Sequence, residues 1–202
     1  MSQTPALASV AASLRRLFDL CVSVDAPDTI LLAAAERLEG VAAALQAHVP
    51  DTPLPRYPGV SDPADPADFF PYDWVLGRYS PLAPPLQVEW AAPKAIGRVA
   101  FGRPYEGPPG CVHGGMIAAA FDQLFNIANM MSGVAGPTAR LELAYRRPTP
   151  LFADLVFEAW VEEAEERKVR TTGHLLAGGV VTAEARGLFI RLSPERVMKM
   201  LG

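Results

Sequence analysis

Apolar residues along this chain follow two different periods, one after the other. Leu7, Val10, Leu14, Leu17, Phe18 and Cys21 recur at helical spacing, and Ile30, Leu31, Ala34, Leu38, Val41, Ala42 and Leu45 do so again. That spacing predicts two helices over residues about 5–48. The Asp25-Ala26-Pro27 stretch is the turn between them, with Asp28 or Thr29 as the cap of the second helix. From Pro50 to Pro71 the composition shifts to proline, aspartate and alanine, as in Pro63-Ala64-Asp65-Pro66-Ala67-Asp68. Proline blocks both helix and central strand, so this stretch reads as a linker or an extended wrap. The aromatics Phe69, Phe70, Tyr72 and Trp74 close it and are expected to dock onto the C-terminal domain.

Beyond the linker the period becomes two. Candidate strands are Val75–Tyr79, Leu86–Trp90, Gly97–Phe101, Ala139–Arg146, Leu155–Glu163, Lys168–Ala177 and Val180–Leu192. Leu141, Leu143 and Tyr145 share one face; Leu155, Phe157, Ala159 and Val161 share another. Gly178-Gly179 predicts a hairpin turn between the last two strands. One long, nearly all-apolar helix runs from His113 to about Ser132, and a helix that apolar needs sheet on most of its sides. The class is therefore α+β: a curled antiparallel sheet around one long central helix, behind an N-terminal helical extension. The hotdog arrangement is one of several α+β folds this order allows. The divisions are an N-terminal extension over 1–49, a Pro-rich linker over 50–73 and the sheet-and-helix domain over 74–202.

With 202 residues, half of them hydrophobic and a fifth charged, the chain has material for one substantial core plus an appendage. A net charge of −4 offers no basic footprint for nucleic acid. Neither the length of its apolar runs nor its N-terminus, where Arg15 and Arg16 fall within an amphipathic stretch, predicts membrane insertion or a secretory leader. Two distant cysteines, Cys21 and Cys111, and three histidines make neither a disulfide framework nor a zinc site. No metal and no cofactor are expected, and the setting expected is the reducing cytoplasm.

The chemistry concentrates between Gly107 and Asp122. Gly107-Pro108-Pro109-Gly110-Cys111-Val112-His113-Gly114-Gly115 is a glycine-rich turn feeding a helix N-terminus, where unpaired N–H groups stabilise negative charge. Asp122 lies two turns on, in an otherwise apolar helix, where a carboxylate is costly to bury. An anion-stabilising hole and a carboxylate base or nucleophile together suit acyl transfer.

These residues resemble the acyl-CoA thioesterases of the hotdog superfamily, to which the phenylacetate-degradation thioesterases belong. The loop from Tyr105 to Gly115 and the stretch Ala144-Tyr145-Arg146-Arg147-Pro148-Thr149-Pro150-Leu151 are similar to the long-chain acyl-CoA thioesterases related to the carboxyl-terminal modulator protein. The resemblance covers roughly Tyr105 to Pro194. It implies a hotdog thioesterase domain acting on a fatty or other hydrophobic acyl-CoA. By that resemblance Asp122 is the catalytic carboxylate, Gly114 gives an oxyanion-hole N–H with Gly115 beside it, and Thr138 helps place the attacking water or the carboxylate. His113 orients the loop or touches the thioester carbonyl. Many relatives have asparagine six residues before that histidine; Gly107 stands there here, as in the long-chain branch.

Each residue also has a plainer reading. Asp122 fits a polar helix stripe with Gln123, Asn126 and Asn129. His113 fits a loop histidine bonded to backbone, and Cys111 a small buried hydrophobe. Arg146 or Arg147 suits the phosphates of coenzyme A, though neighbours on a strand point to opposite faces, so at most one lines a given site. The plain alternative is solvated strand charge. Lys168 and Arg170 are weaker candidates of the same kind. Met116, Phe121, Phe125, Met130 and Met131 line an acyl pocket or simply fill the core. The charged run Glu162–Lys168 reads as a solvated hairpin turn.

Along the helix, Gly115 and Asp122 are about 10 Å apart at ~1.5 Å rise per residue, whereas a nucleophile and its oxyanion donors converge at about 3 Å. Gly114 of one subunit is therefore expected to face Asp122 of another, giving a homodimer as the minimal unit, or a dimer of dimers built from it. Two rival functions remain: a hotdog enoyl-CoA hydratase or dehydratase, and a non-catalytic acyl-CoA-binding protein with the N-terminal helices as its arm.

Overall fold

The computed structural model describes residues 5–52 and 68–193. Most of the expected linker, 53–67, and the C-terminal residues 194–202 lie outside the described residues. Helices α1 (Pro5–Cys21) and α2 (Asp28–Gln46) lead. The body continues in the order β1 (Gln87–Ala91), β2 (Lys94–Val99), α3 (Gly114–Met131), β3 (Thr138–Tyr145), β4 (Leu155–Ala164), β5 (Lys168–Ala177) and β6 (Val180–Ile190). The six strands form one antiparallel sheet in the order β1-β2-β4-β5-β6-β3, which leaves β1 and β3 as edges.

Helix α3 is buried along most of its length because the sheet curls around it. Ile117, Phe121, Leu124 and Phe125 join Phe157 of β4, Val169 of β5 and Phe189 of β6 in one continuous core. The Phe121 and Phe157 rings meet edge-on at 5.1 Å. Close approach of helix to sheet depends on small residues: a Cβ at Gly173 would lie 2.8 Å from Phe125, and one at Gly187 2.7 Å from the same ring. The β5–β6 hairpin turns at Gly178 and Gly179, both at positive φ (56° and 79°), as a two-residue turn with matching twist requires. Around the β4–β5 turn Arg170 bridges Glu163 and Glu165 at the surface.

Three expectations need correction. Val75–Tyr79 is no strand: the Asp73 carboxylate accepts from the N–H groups of Val75 (2.8 Å) and Leu76 (2.9 Å), and Gly77 N–H closes onto the Asp73 carbonyl. An aspartate that satisfies its neighbours' donors offers the backbone a turn in place of a ladder. Helix α2 begins at Asp28 with Pro27 at the cap position, and no side chain caps it. Its apolar stripe also stays open: α2 has no buried residue, with Ile30, Leu32 and Val41 more than half exposed. Helix α1 does dock, through buried Ala11 and through Arg15, which donates to the carbonyls of Ser80 and Arg78. Of the four aromatics expected to dock, Phe70 packs on the core, Phe69 meets Trp90 edge-on, and Tyr72 contacts Tyr79; Trp74 remains half exposed.

Candidate active site

The loop that feeds α3 is braced residue by residue. Glu106 accepts from Gly110 N–H (2.7 Å) and from Arg103 (2.9 Å), and these contacts, the Gly110 amide foremost, hold its carboxyl below the usual carboxylate range. Gly107 N–H donates to the Cys111 carbonyl, and His113 N–H to the Tyr105 carbonyl (2.8 Å). The Tyr105 ring stacks edge-on against Phe101, and burial, followed by the nearby Asp19 charge, pushes its phenol up to about 12. Position 107 has no space for a side chain: a Cβ there would lie 2.8 Å from His113 Cα. Glycine in place of asparagine is thus built into how this loop folds.

His113 occupies the N-cap of α3, and its Nδ1 accepts from Gly115 N–H at 2.9 Å. A neutral ring that accepts at Nδ1 carries its proton on Nε2. Both glycine N–H groups were expected in the anion hole; the structure turns that of Gly115 to His113. The Gly114 N–H, at the first helical position, has no acceptor among the described residues. Just beside it, Tyr145 at the end of β3 donates from its hydroxyl to the Gly114 carbonyl (2.8 Å). Gly114, Tyr145, Arg147, Cys111 and Ile117 line a largely apolar hollow of about 270 Å³. Cys111 is half-buried at this hollow, where the sequence suggested full burial.

Further along α3, Asp122 is half-buried on the helix's outward side, and its Oδ1 accepts from Thr138 Oγ1 at 2.7 Å. The structure thus brings Thr138 and Asp122 together. It breaks the polar-stripe alternative: Gln123 is buried, and Asn129, with no exposed surface, accepts from Thr171 in the core. Only Asn126 stays alongside, donating to the Asp122 carbonyl. Asp122 lies eight residues after Gly114 on one straight element, about 12 Å away at ~1.5 Å per residue.

The two arginines part company. Arg147 reaches the hollow beside Gly114, while Arg146 lies in an outer-face groove of about 680 Å³ and pairs with Glu184 at 2.7 Å. Phe121 has no exposed surface and Met116 very little; both sit in the core. Of two wider hollows, of about 630 and 790 Å³, the first holds none of the candidate site residues and the second only Arg170, which is tied up by Glu163 and Glu165. Among the described residues no cluster of His, Cys, Asp and Glu is placed to hold a metal, and no helix is long and apolar enough to cross a membrane.

The plainer reading of His113, a loop histidine bonded to backbone, matches its bond from Gly115 N–H, as an N-cap acceptor takes the N–H two or three residues on. Sequence reasoning missed the Tyr145–Gly114 contact, whose signal was the place of Tyr145 on one face of β3 with Leu141 and Leu143.

Comparison with known proteins bears on the family and the fold. The thioesterase superfamily model matches residues 109–185. A crystal structure of a thioesterase superfamily protein, 32% identical, superposes with a TM-score of 0.81 over 91% of this chain and 94% of that one. Acyl-coenzyme A thioesterase THEM4 of Mus musculus is 37% identical over 93 residues, 45% of this chain and 40% of that protein. Its counterpart in Xenopus laevis is 36% identical over 94 residues, 45% of this chain and 42% of that one. The match thus spans less than half the length of these curated relatives.

Proposed function

The chain belongs to the thioesterase superfamily, and on that footing we propose that it hydrolyses a fatty or other hydrophobic acyl-CoA to the free acid and coenzyme A. The observation that carries the proposal is the Asp122 carboxylate, turned outward and held by Thr138. In the general-base route it takes a proton from water as the water oxygen attacks the thioester carbonyl. In the nucleophilic route the carboxylate itself attacks, and water then opens the acyl-aspartyl anhydride. In both the C–S bond breaks, and the thiolate leaves and is protonated. The developing oxyanion is met by the Gly114 N–H at the positive end of α3, with His113 fixing that end of the helix through Gly115. Arg147, beside the hollow, suits a phosphate of coenzyme A.

Because Gly114 and Asp122 sit about 12 Å apart on one helix, one thioester carbon does not meet both groups of the same chain. The active unit is therefore a homodimer in which each α3 supplies Gly114 to one site and Asp122 to the other. The outer edge of β3, which pairs with no further strand among the described residues and also carries Thr138, supports that assembly.

Release of free thiol from saturated acyl-CoAs of increasing chain length tests the reaction; hydration of an enoyl-CoA tests the rival chemistry. A wild-type protein that releases no thiol from any acyl-CoA ends this reading. In single turnover in ¹⁸O-water, label in the Asp122 carboxylate establishes the nucleophilic route with water opening the anhydride at the aspartyl carbonyl. An acyl-aspartyl adduct trapped by hydroxylamine establishes it where water attacks the acyl side. The general-base route gives neither and labels only the product acid. Mixing Asp122→Asn with Gly114→Ala subunits tests the two-chain site. Statistical exchange leaves half the dimers mixed, each with one intact site, so activity returns to roughly a quarter of wild type.

A further inference from the structure

Two consecutive peptide groups at the start of α3 are held in opposite ways. In the His113–Gly114 unit the carbonyl accepts from Met116 N–H (2.9 Å) and Ile117 N–H (3.2 Å), while the Gly114 N–H has no acceptor among the described residues. In the Gly114–Gly115 unit both ends are taken. The carbonyl accepts from the Tyr145 hydroxyl at 2.8 Å, and the N–H donates to His113 Nδ1 at 2.9 Å.

Tyr145 also acts through its ring. A Cβ built on Gly114 would lie 3.0 Å from Tyr145 Oη, 3.1 Å from Cζ and 3.4 Å from Cε1, so the ring closes the side on which a side chain would stand. The tyrosine is no ordinary core residue, since it is 54% exposed and lines the hollow into which Gly114 opens. Partial burial raises its phenol above the ordinary value, which keeps the proton on the oxygen that must donate.

We propose that Tyr145 is a positioning residue of the anion hole, its hydroxyl and ring holding the Gly114–Gly115 peptide in the orientation that leaves the Gly114 N–H outward and unpaired. The inference rests on the thioesterase reading. A hole whose donor is fixed beforehand reorganises little when charge develops, and that benefit falls on the transition state more than on bound substrate.

The test is the conservative variant Tyr145→Phe, which keeps the ring and removes the hydroxyl. Its kcat for acyl-CoA hydrolysis should fall about tenfold, the equivalent of one neutral hydrogen bond, with KM and melting temperature close to wild type. In the same variant, hydrogen exchange of the Gly115 amide should accelerate while that of the β4 and β5 core amides does not. Unchanged kcat in an active enzyme overturns the proposal, as does a change in KM alone, which marks a plain substrate contact. Unchanged Gly115 exchange also overturns it. A wild type without thiol-releasing activity removes the thioesterase reading itself, a result distinct from any of these.

Discussion

The two ends of the candidate site are built on one helix and tied to one strand, yet they are built differently. At the Gly114 end the donor is backbone, enclosed by His113, Tyr145 and the braced loop from Glu106 to Cys111. At the Asp122 end the group is a side chain on an outward face, held by one hydrogen bond among the described residues, from Thr138. A backbone donor has no rotamers and is positioned by the peptides of the helix start and the groups that hold them. A carboxylate keeps two torsions, so it needs a neighbour to fix them. The finished end and the open end suit a site completed when the open end meets the finished end of another chain.

The largest effect should come from removing the charge at the open end. Asp122→Asn should lower kcat by about 10³, within the range of a lost acid–base group, while Thr138 still contacts the side chain and the melting temperature stays near wild type. Thiol release under saturating acyl-CoA measures this. Gly114→Ala attacks the finished end: its Cβ must displace the Tyr145 ring, and a loss of about 10² in kcat is expected, as for one misplaced oxyanion donor. If alanine were tolerated at full activity, the closed picture of that end would be wrong. Thr138→Val keeps shape and removes the hydroxyl that orients Asp122. About a tenfold fall in kcat, one hydrogen bond's worth, should appear with KM little changed.

The smallest effect lies in the loop. Glu106 has a lowered pKa in the fold, so its bracing is complete above the ordinary glutamate range, near pH 4.3, and is lost as the pH falls through the lower folded value. Glu106→Gln should therefore change activity only about twofold at neutral pH. It should also flatten the loss of Gly110 amide protection expected of the wild type on acidification; an identical acid profile in both proteins would show that the carboxylate is not a brace.

Much of this architecture is legible in the sequence because period is a direct image of burial. The all-apolar face of α3 and the alternation in β4, β5 and β6 mark the core, and Gly178-Gly179 marks its hairpin. Where one polar side chain overrides the pattern, the sequence misleads: Val75–Tyr79, with its β-branched and aromatic residues, reads as a strand, but Asp73 takes its donors. Helix α2 shows the opposite failure. Its stripe is as regular as that of a buried helix, yet Ile30 is 60% exposed and Leu32 70%, because periodicity gives the direction of an apolar face and not what covers it. At the site, Asp122 stood out as an acid in an apolar run, while Thr138 was named only through family resemblance. No local spacing rule links a helix residue to a strand residue sixteen positions later. Tyr145 needed the fold, since only the curl of the sheet brings the far end of β3 over the helix start.

One property of β3 joins the two ends in a further way. The strand runs back along α3, with Thr138 at one end and Tyr145 at the other, and it is an edge, paired on one side only by β6. A strand shifts register only in steps of two residues if its inward face is to stay inward. Any such slip withdraws the threonine from the aspartate and the tyrosine from the glycine in the same movement. The strand is thus a ruler laid along the helix, and both ends of the candidate site are gauged by one mark on it.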